Sequence, residues 1–178
     1  MKNTNERYSI PTRVMHWAVA VIMIGMLALG VYMTGVELSP FKFQLYWWHK
    51  SIGAMVLVLF AARLIWRMIN IWPHHPNHKG YERFLANVIQ AFFYIAMIGM
   101  PMTGWMMSSA KGYPVSVFDW FILPDLIAPD QELGEILAEL HTVCGYVLIG
   151  AILLHAAGAI KHHIIDRDDT LIRMLWGK

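Results

Sequence analysis

Leu140–His163 reads LHTVCGYVLIGAILLHAAGAIKHH, and from His141 to Ile160 it carries no Asp, Glu, Lys or Arg. About 20 apolar residues are enough to cross the hydrocarbon core of a bilayer as a helix. The stretch nevertheless holds histidines at His141, His155 and His162. At about 100° per residue, the 14 steps from His141 to His155 leave the two side chains about 40° apart and about 21 Å along the axis. The 7 further steps to His162 add about 20° and about 10 Å. One helix face therefore presents an imidazole near one membrane surface, a second most of the way across, and a third at the far interface. Ionisable side chains in an apolar span are costly and normally face the bundle interior in the service of function.

The composition places the rest of the chain in the same environment. Its 178 residues are 57% hydrophobic, and the mean hydropathy is +0.46. That is too apolar for a soluble domain of this size. No internal repeat or low-complexity linker divides the chain, so residues 1–178 are expected to form one domain in lipid, with no nucleic-acid partner. The single cysteine, Cys144, excludes an intrachain disulfide and a CxxCH haem-attachment motif. Any haem has to be held by axial ligands and packing.

Three more spans are expected before this one, at approximately residues 14–36, 44–69 and 84–109, with the last at 137–163. The first, Val14–Val36, is a 23-residue run without a charged side chain. It is too long for a signal-peptide core and is read as a retained helix, with His16 in its first turn. The second opens with Trp47, Trp48 and His49 at the level of an interfacial aromatic belt and is interrupted by Arg63, 14 residues after His49. Residues 70–82 form a loop broken by Pro73, Pro76 and Gly80. Its histidines His74, His75 and His78 are read as surface residues, since they show no fixed metal-ligand geometry. The third span contains no histidine, and Gly99, Pro101 and Gly104 predict a kink in it. Lys111–Glu139 mixes prolines and acids with an apolar patch at 117–123, and is expected to lie along the interface as a cap. A charged tail, Asp166–Lys178, follows the last span.

The orientation comes from the distribution of Lys and Arg, not from the net charge of +2. With four spans and a cytoplasmic N-terminus, 11 of the 14 basic residues fall inside. The positive-inside rule then puts both termini in the cytoplasm. In that orientation the histidines sort by depth. His49 and His141 open their helices at the outer face, whereas His16 and His155 belong to the inner half. Two pairs result, each drawn from two different helices, and bis-imidazole ligation of two stacked b haems is the chemistry that suits them. Each of the four is followed four positions later by a small residue, Ala20, Gly53, Gly145 or Ala159, which leaves room for a porphyrin to approach.

Other residues are read beside these. An isolated histidine at a helix end is ordinarily interfacial decoration; it is the pairing by depth that sets these four apart. Arg13 and Arg63 are taken as cofactor-binding candidates, Arg63 being deep enough to need an anionic partner such as a haem propionate; the plain reading of Arg13, Arg63 and Arg67 is as inside-positive residues. His162, with Lys161 beside it, extends the histidine face and is placed to hydrogen-bond or protonate a quinone; the bland reading is contact with lipid headgroups. The 13 methionines and 8 tryptophans read as packing and interfacial anchors.

With these residues in view, the chain resembles the bacterial cytochrome b561 family over nearly its whole length. The resemblance rests on Arg13–Trp17 (RVMHW), His49-x3-Gly53, Arg63-x3-Arg67 and Pro101-x2-Gly104. It rests further on Leu140-His141, Leu154-His155 and His162-His163, followed by Asp169-Thr170-Leu171. It implies two non-covalent b haems, a bacterial inner-membrane location and electron exchange with ubiquinone or another quinone. Two function classes follow. One is a superoxide:quinone oxidoreductase, with the anion drawn to the outer haem past Lys42, Lys50 or Lys111. The other is a membrane-anchor cytochrome relaying electrons between a partner dehydrogenase or hydrogenase and the quinone pool, with the acidic outer loop as docking surface.

Overall fold

The computed structural model describes residues 2–4, 7–71 and 80–177. Four long helices dominate it: α1 (Ile10–Gly35), α2 (Pro40–Met68), α3 (Gly80–Ala110) and α4 (Gln131–Lys161). A π-helical turn (His162–Asp166) and a short helix α5 (Thr170–Leu175) follow. All four long helices are apolar enough to cross a membrane. At 26, 29, 31 and 31 residues, they extend about 39–47 Å. That exceeds the hydrocarbon core of about 30 Å and matches a bilayer with its headgroups.

This length explains where the sequence reading fell short. Each helix begins four to six residues before the span expected from hydropathy, at Ile10, Pro40, Gly80 and Gln131. Hydropathy marks only the hydrocarbon-embedded part, while capping chemistry sets the true start. Pro lies in the first turn of α1 and of α2, where its missing N–H costs nothing. The Ser39 hydroxyl accepts from the Lys42 N–H at 3.3 Å, and the Asp130 carboxylate accepts from the Leu133 N–H at 3.0 Å. α3 continues through Pro101 as one helix.

α1 packs on α2, α2 on α3 and α3 on α4. The bundle interior is thin, with Val56, Met97 and Leu148 buried, whereas Val21, Ile95 and Leu153 are exposed on faces suited to lipid. Arg13 donates to the Leu175 carbonyl at 2.8 Å, and the Trp17 indole donates to that of Met174 at 3.2 Å. The chain's two ends thus meet at one end of the bundle, called inner below after the charge count. What read as a charged tail includes α5, hooked beneath α1. His74, His75 and His78 lie outside the described residues.

The outer cap is not wholly irregular. Val115–Val117 (β1) and Phe121–Leu123 (β2) pair antiparallel, with Val117 opposite Phe121. Phe118 and Asp119 at the turn have φ of 50° and 58°, the positive-φ pair of a type I′ hairpin, without the usual Asn-Gly. Tertiary bonds hold this turn in place. Ser51, fully buried on α2, donates to the Ser116 carbonyl at 3.0 Å and accepts from the Phe118 N–H at 3.1 Å. The Asp119 carboxylate accepts from the Trp47 indole at 2.9 Å. The hairpin is therefore fastened on both sides of His49.

Candidate functional site

The bundle brings together the two histidine pairs expected from depth. His49 and His141 face each other with ring centroids 6.1 Å apart, and His16 and His155 stand at 6.3 Å. A metal–imidazole bond is about 2.0–2.1 Å, and the ligating nitrogen lies about 1 Å from the ring centre, so two rings on opposite sides of one ion stand about 6 Å apart. Both pairs fit that separation.

At the outer level the two halves of the bundle repeat one arrangement. On α1 and α2, a Cβ added at Gly30 would lie 3.3 Å from the His49 ring, and one at Gly53 would lie 3.7 Å from the Met26 methyl. On α3 and α4, a Cβ at Gly104 would lie 3.2 Å from the His141 ring, and one at Gly145 would lie 3.8 Å from the Met100 methyl. In each half a glycine lets an imidazole lie flush against the neighbouring helix. One turn away, a second glycine faces only the end of a flexible thioether, which can give way to a flat ligand. Gly53 and Gly145 are the two glycines that the sequence reading singled out. Gly30 was not singled out, and Gly104 was read as part of a kink and of the Pro101-x2-Gly104 match; their contacts with histidines are made across helices and have no signature along the chain.

Thr103 is a further residue that the sequence did not disclose. Its hydroxyl donates to the Met100 carbonyl at 2.9 Å, so its oxygen accepts from His141 Nδ1, 3.0 Å away. The proton on Nδ1 leaves the Nε2 lone pair of His141 available to a metal. Opposite it, Nδ1 of His49 is buried without a partner among the described residues. An unpaired buried polar atom is the mark of a site that a ligand completes.

At the inner level Trp17 lies edge-on to His16 at 5.3 Å and Phe93 edge-on to His155 at 5.4 Å, which fixes both rings. Arg63 reaches them, with Nη2 3.4 Å from His16 Nδ1. The Arg13 guanidinium holds the C-terminal carbonyl of α5, a favourable place for a cation.

The last turn of α4 carries a charged cluster. Lys161 contacts the carboxylates of Glu82 at 2.7 Å and Asp166 at 2.6 Å, tying α3 to α4. His162 Nδ1 lies 2.9 Å from Asp166 and 2.8 Å from Asp168. Burial works against the charge on Asp168, but hydrogen bonds from Thr170 and His162 outweigh it and hold the carboxyl below its ordinary range. Lys161 is thus committed to carboxylates, and His162 is held through Nδ1 by Asp166 and Asp168.

Comparison with known proteins gives this geometry its context. The family profile described as Prokaryotic cytochrome b561 matches residues 7–177. "Cytochrome b561 homolog 2" of Escherichia coli is 34% identical, the alignment covering 97% of this chain and 93% of the relative. "Cytochrome b561 homolog 1" of the same organism is 28% identical over 71% and 72% of the two chains. "Probable superoxide oxidase CybB" of Yersinia pestis is 26% identical over 96% and 97%. A four-span membrane protein matched over this length is a member of the prokaryotic cytochrome b561 family, and its chemistry is transmembrane electron transfer on b-type haem.

Proposed function

We propose that the chain holds two b haems, one between His49 and His141 and one between His16 and His155. It would move electrons across the bacterial inner membrane from superoxide at the outer face to membrane quinone at the inner end. The observation that supports this reading most is the pair of ring separations, each suited to one iron, on histidines about 21 Å apart along α4. Haem in these sites supplies the one-electron carriers; the protein residues bind, orient and supply protons.

Thr103 keeps the Nδ1 proton of His141 in a hydrogen bond, which raises the basicity of the ligating nitrogen. Replacement by valine is expected to raise the midpoint potential of one haem, because a less electron-rich imidazole stabilises ferric iron less. A redox titration followed in the haem bands checks this, and unchanged potentials would count against Nε2 ligation. At the inner pair, a guanidinium can only donate. When His16 ligates through Nε2 and carries its proton on Nδ1, Arg63 must turn to another acceptor, and a propionate carboxylate is suitable.

The inner cluster fits a quinone. Asp166 and Asp168 hold His162 by Nδ1 and orient its ring at the end of α4, and the same carboxylates connect the imidazole to bulk protons. Lys161, bound to Glu82 and Asp166, keeps the rim of that site assembled. His162→Phe is expected to lower the rate of ubiquinone reduction by about 100-fold or more, within the range general acid catalysis contributes, with the haem spectrum intact. Reduction at the original rate would remove His162 from the site.

The superoxide donor is supported by the name of the Yersinia pestis relative and by Lys50, the residue after His49. The Lys50 ammonium lies 3.3 Å from the Pro114 carbonyl, at the outer rim where positive charge steers an anion. Stopped-flow mixing of purified protein with superoxide should reduce haem within the mixing experiment. Haem reducible by dithionite but not by superoxide would point to a partner redox subunit as donor.

A further inference from the structure

We propose that α5 is a buttress for the inner haem ligand His16, acting through Trp17 and Arg13 as positioning residues. The proposal rests on the reading of His16 and His155 as that haem's ligands. α5 has only six residues, Thr170–Leu175, and a helix this short does not persist in isolation. Contacts outside it have to hold both of its ends. At the start, the Asp168 carboxylate accepts from the Thr170 N–H at 2.8 Å and also bonds His162 Nδ1. At the far end Gly177 turns with φ of 72°, the left-handed conformation that commonly closes a helix.

The last four carbonyls of a helix have no partner within it, and those of α5 can be traced one by one. The Trp176 N–H donates to Ile172 at 2.8 Å, and the Gly177 N–H donates to Arg173 at 3.2 Å. For Met174 and Leu175 it is α1 that supplies the donors: Trp17 Nε1 at 3.2 Å and Arg13 Nη1 at 2.8 Å. Arg13 and Trp17 are four residues apart, so they share one face of α1, and His16 lies in the same turn. The grip is close, for a Cβ added at Gly177 would stand 3.0 Å from Arg13 Cζ. Held by its N–H on the α5 side, the Trp17 indole lies T-shaped against the His16 ring at 5.3 Å. The bond to Met174 thus restrains the indole, and the indole restrains rotation of the imidazole.

The test uses the full chain carrying both haems in lipid nanodiscs, the inner haem being the one absent from His155→Ala protein. Trp17→Phe keeps a ring beside His16 and removes the N–H that reaches Met174. Gly177→Val sets a branched side chain against Arg13 at a φ that β-branched residues avoid, which loosens α5 while the sequence of α1 stays the same. In both variants, transfer of the inner haem to excess apomyoglobin should be about tenfold faster, the low end of what supporting partners of a metal ligand contribute. The electron paramagnetic resonance signal of that haem should broaden as its ligand ring gains freedom. The outer haem should keep its rate and its signal, as an intact bundle requires. Unchanged release, a change in one variant alone, an unaltered inner-haem signal, or acceleration that extends to the outer haem would overturn the proposal. Failure of the underlying reading looks different: His16→Ala protein would retain both haems.

Discussion

His155→Ala protein is expected to purify with one haem in place of two, the loss falling on the inner site. Removing a mere supporting partner of a metal ligand costs about 10–100-fold in affinity, and removal of the ligand itself costs more. The His16 ring, stacked edge-on by Trp17, would remain without its partner 6.3 Å away. The outer site lies about 21 Å along α4 and is built from different contacts, with His141 bonded to Thr103 on α3. It should keep its haem and its potential. His141→Ala should give the converse, so the two variants together yield complementary spectra. Haem content by extraction and redox titration of what remains would check both. Equal partial loss in each variant would mean that the sites do not form from these pairs.

The second large effect is expected at Gly104, whose space is already claimed by the His141 ring. A Cβ there would sit 3.2 Å from Cε1 and 3.5 Å from Nδ1, tighter than ordinary contact. Valine adds two further methyl groups beyond that Cβ, and overpacking of this kind costs about 1–3 kcal/mol. A ring pushed aside also leaves Thr103. Outer-haem affinity in Gly104→Val should fall about 10–100-fold, consistent with loss of a supporting interaction, while the inner haem stays. Gly99→Val is the matched control, since a Cβ at Gly99 meets nothing within 4 Å. It shares the change in helix propensity and should retain both haems. Loss of outer haem in both variants would show a general effect on α3, not a contact with His141.

Much of this arrangement could be read from the chain itself, for a physical reason. Lipid tolerates few polar groups, so charge-free runs locate the spans, and the excess of Lys and Arg orients them. Once orientation is fixed, depth alone pairs His49 with His141 and His16 with His155, because helix rise converts residue number into height. Contacts between helices are not encoded that way. Gly30 and Gly104 touch histidines on other helices, and nothing in their neighbours along the sequence announces it. The β-hairpin was hidden for a similar reason: Phe118 and Asp119 are unusual in a tight turn and are held there by Ser51 and Trp47, more than 60 residues earlier. Arg13 is a third case. Its guanidinium holds the α5 carbonyl, a partner that exists only once the chain ends meet and that no local pattern foretells.

The proposed ligation is tested most directly by counting haem in the purified full-length chain and recording the ferric spin state of each. Two b haems per chain, both six-coordinate and low-spin as bis-imidazole ligation requires, is the predicted result. One haem per chain, or a high-spin signal from either site, would contradict it.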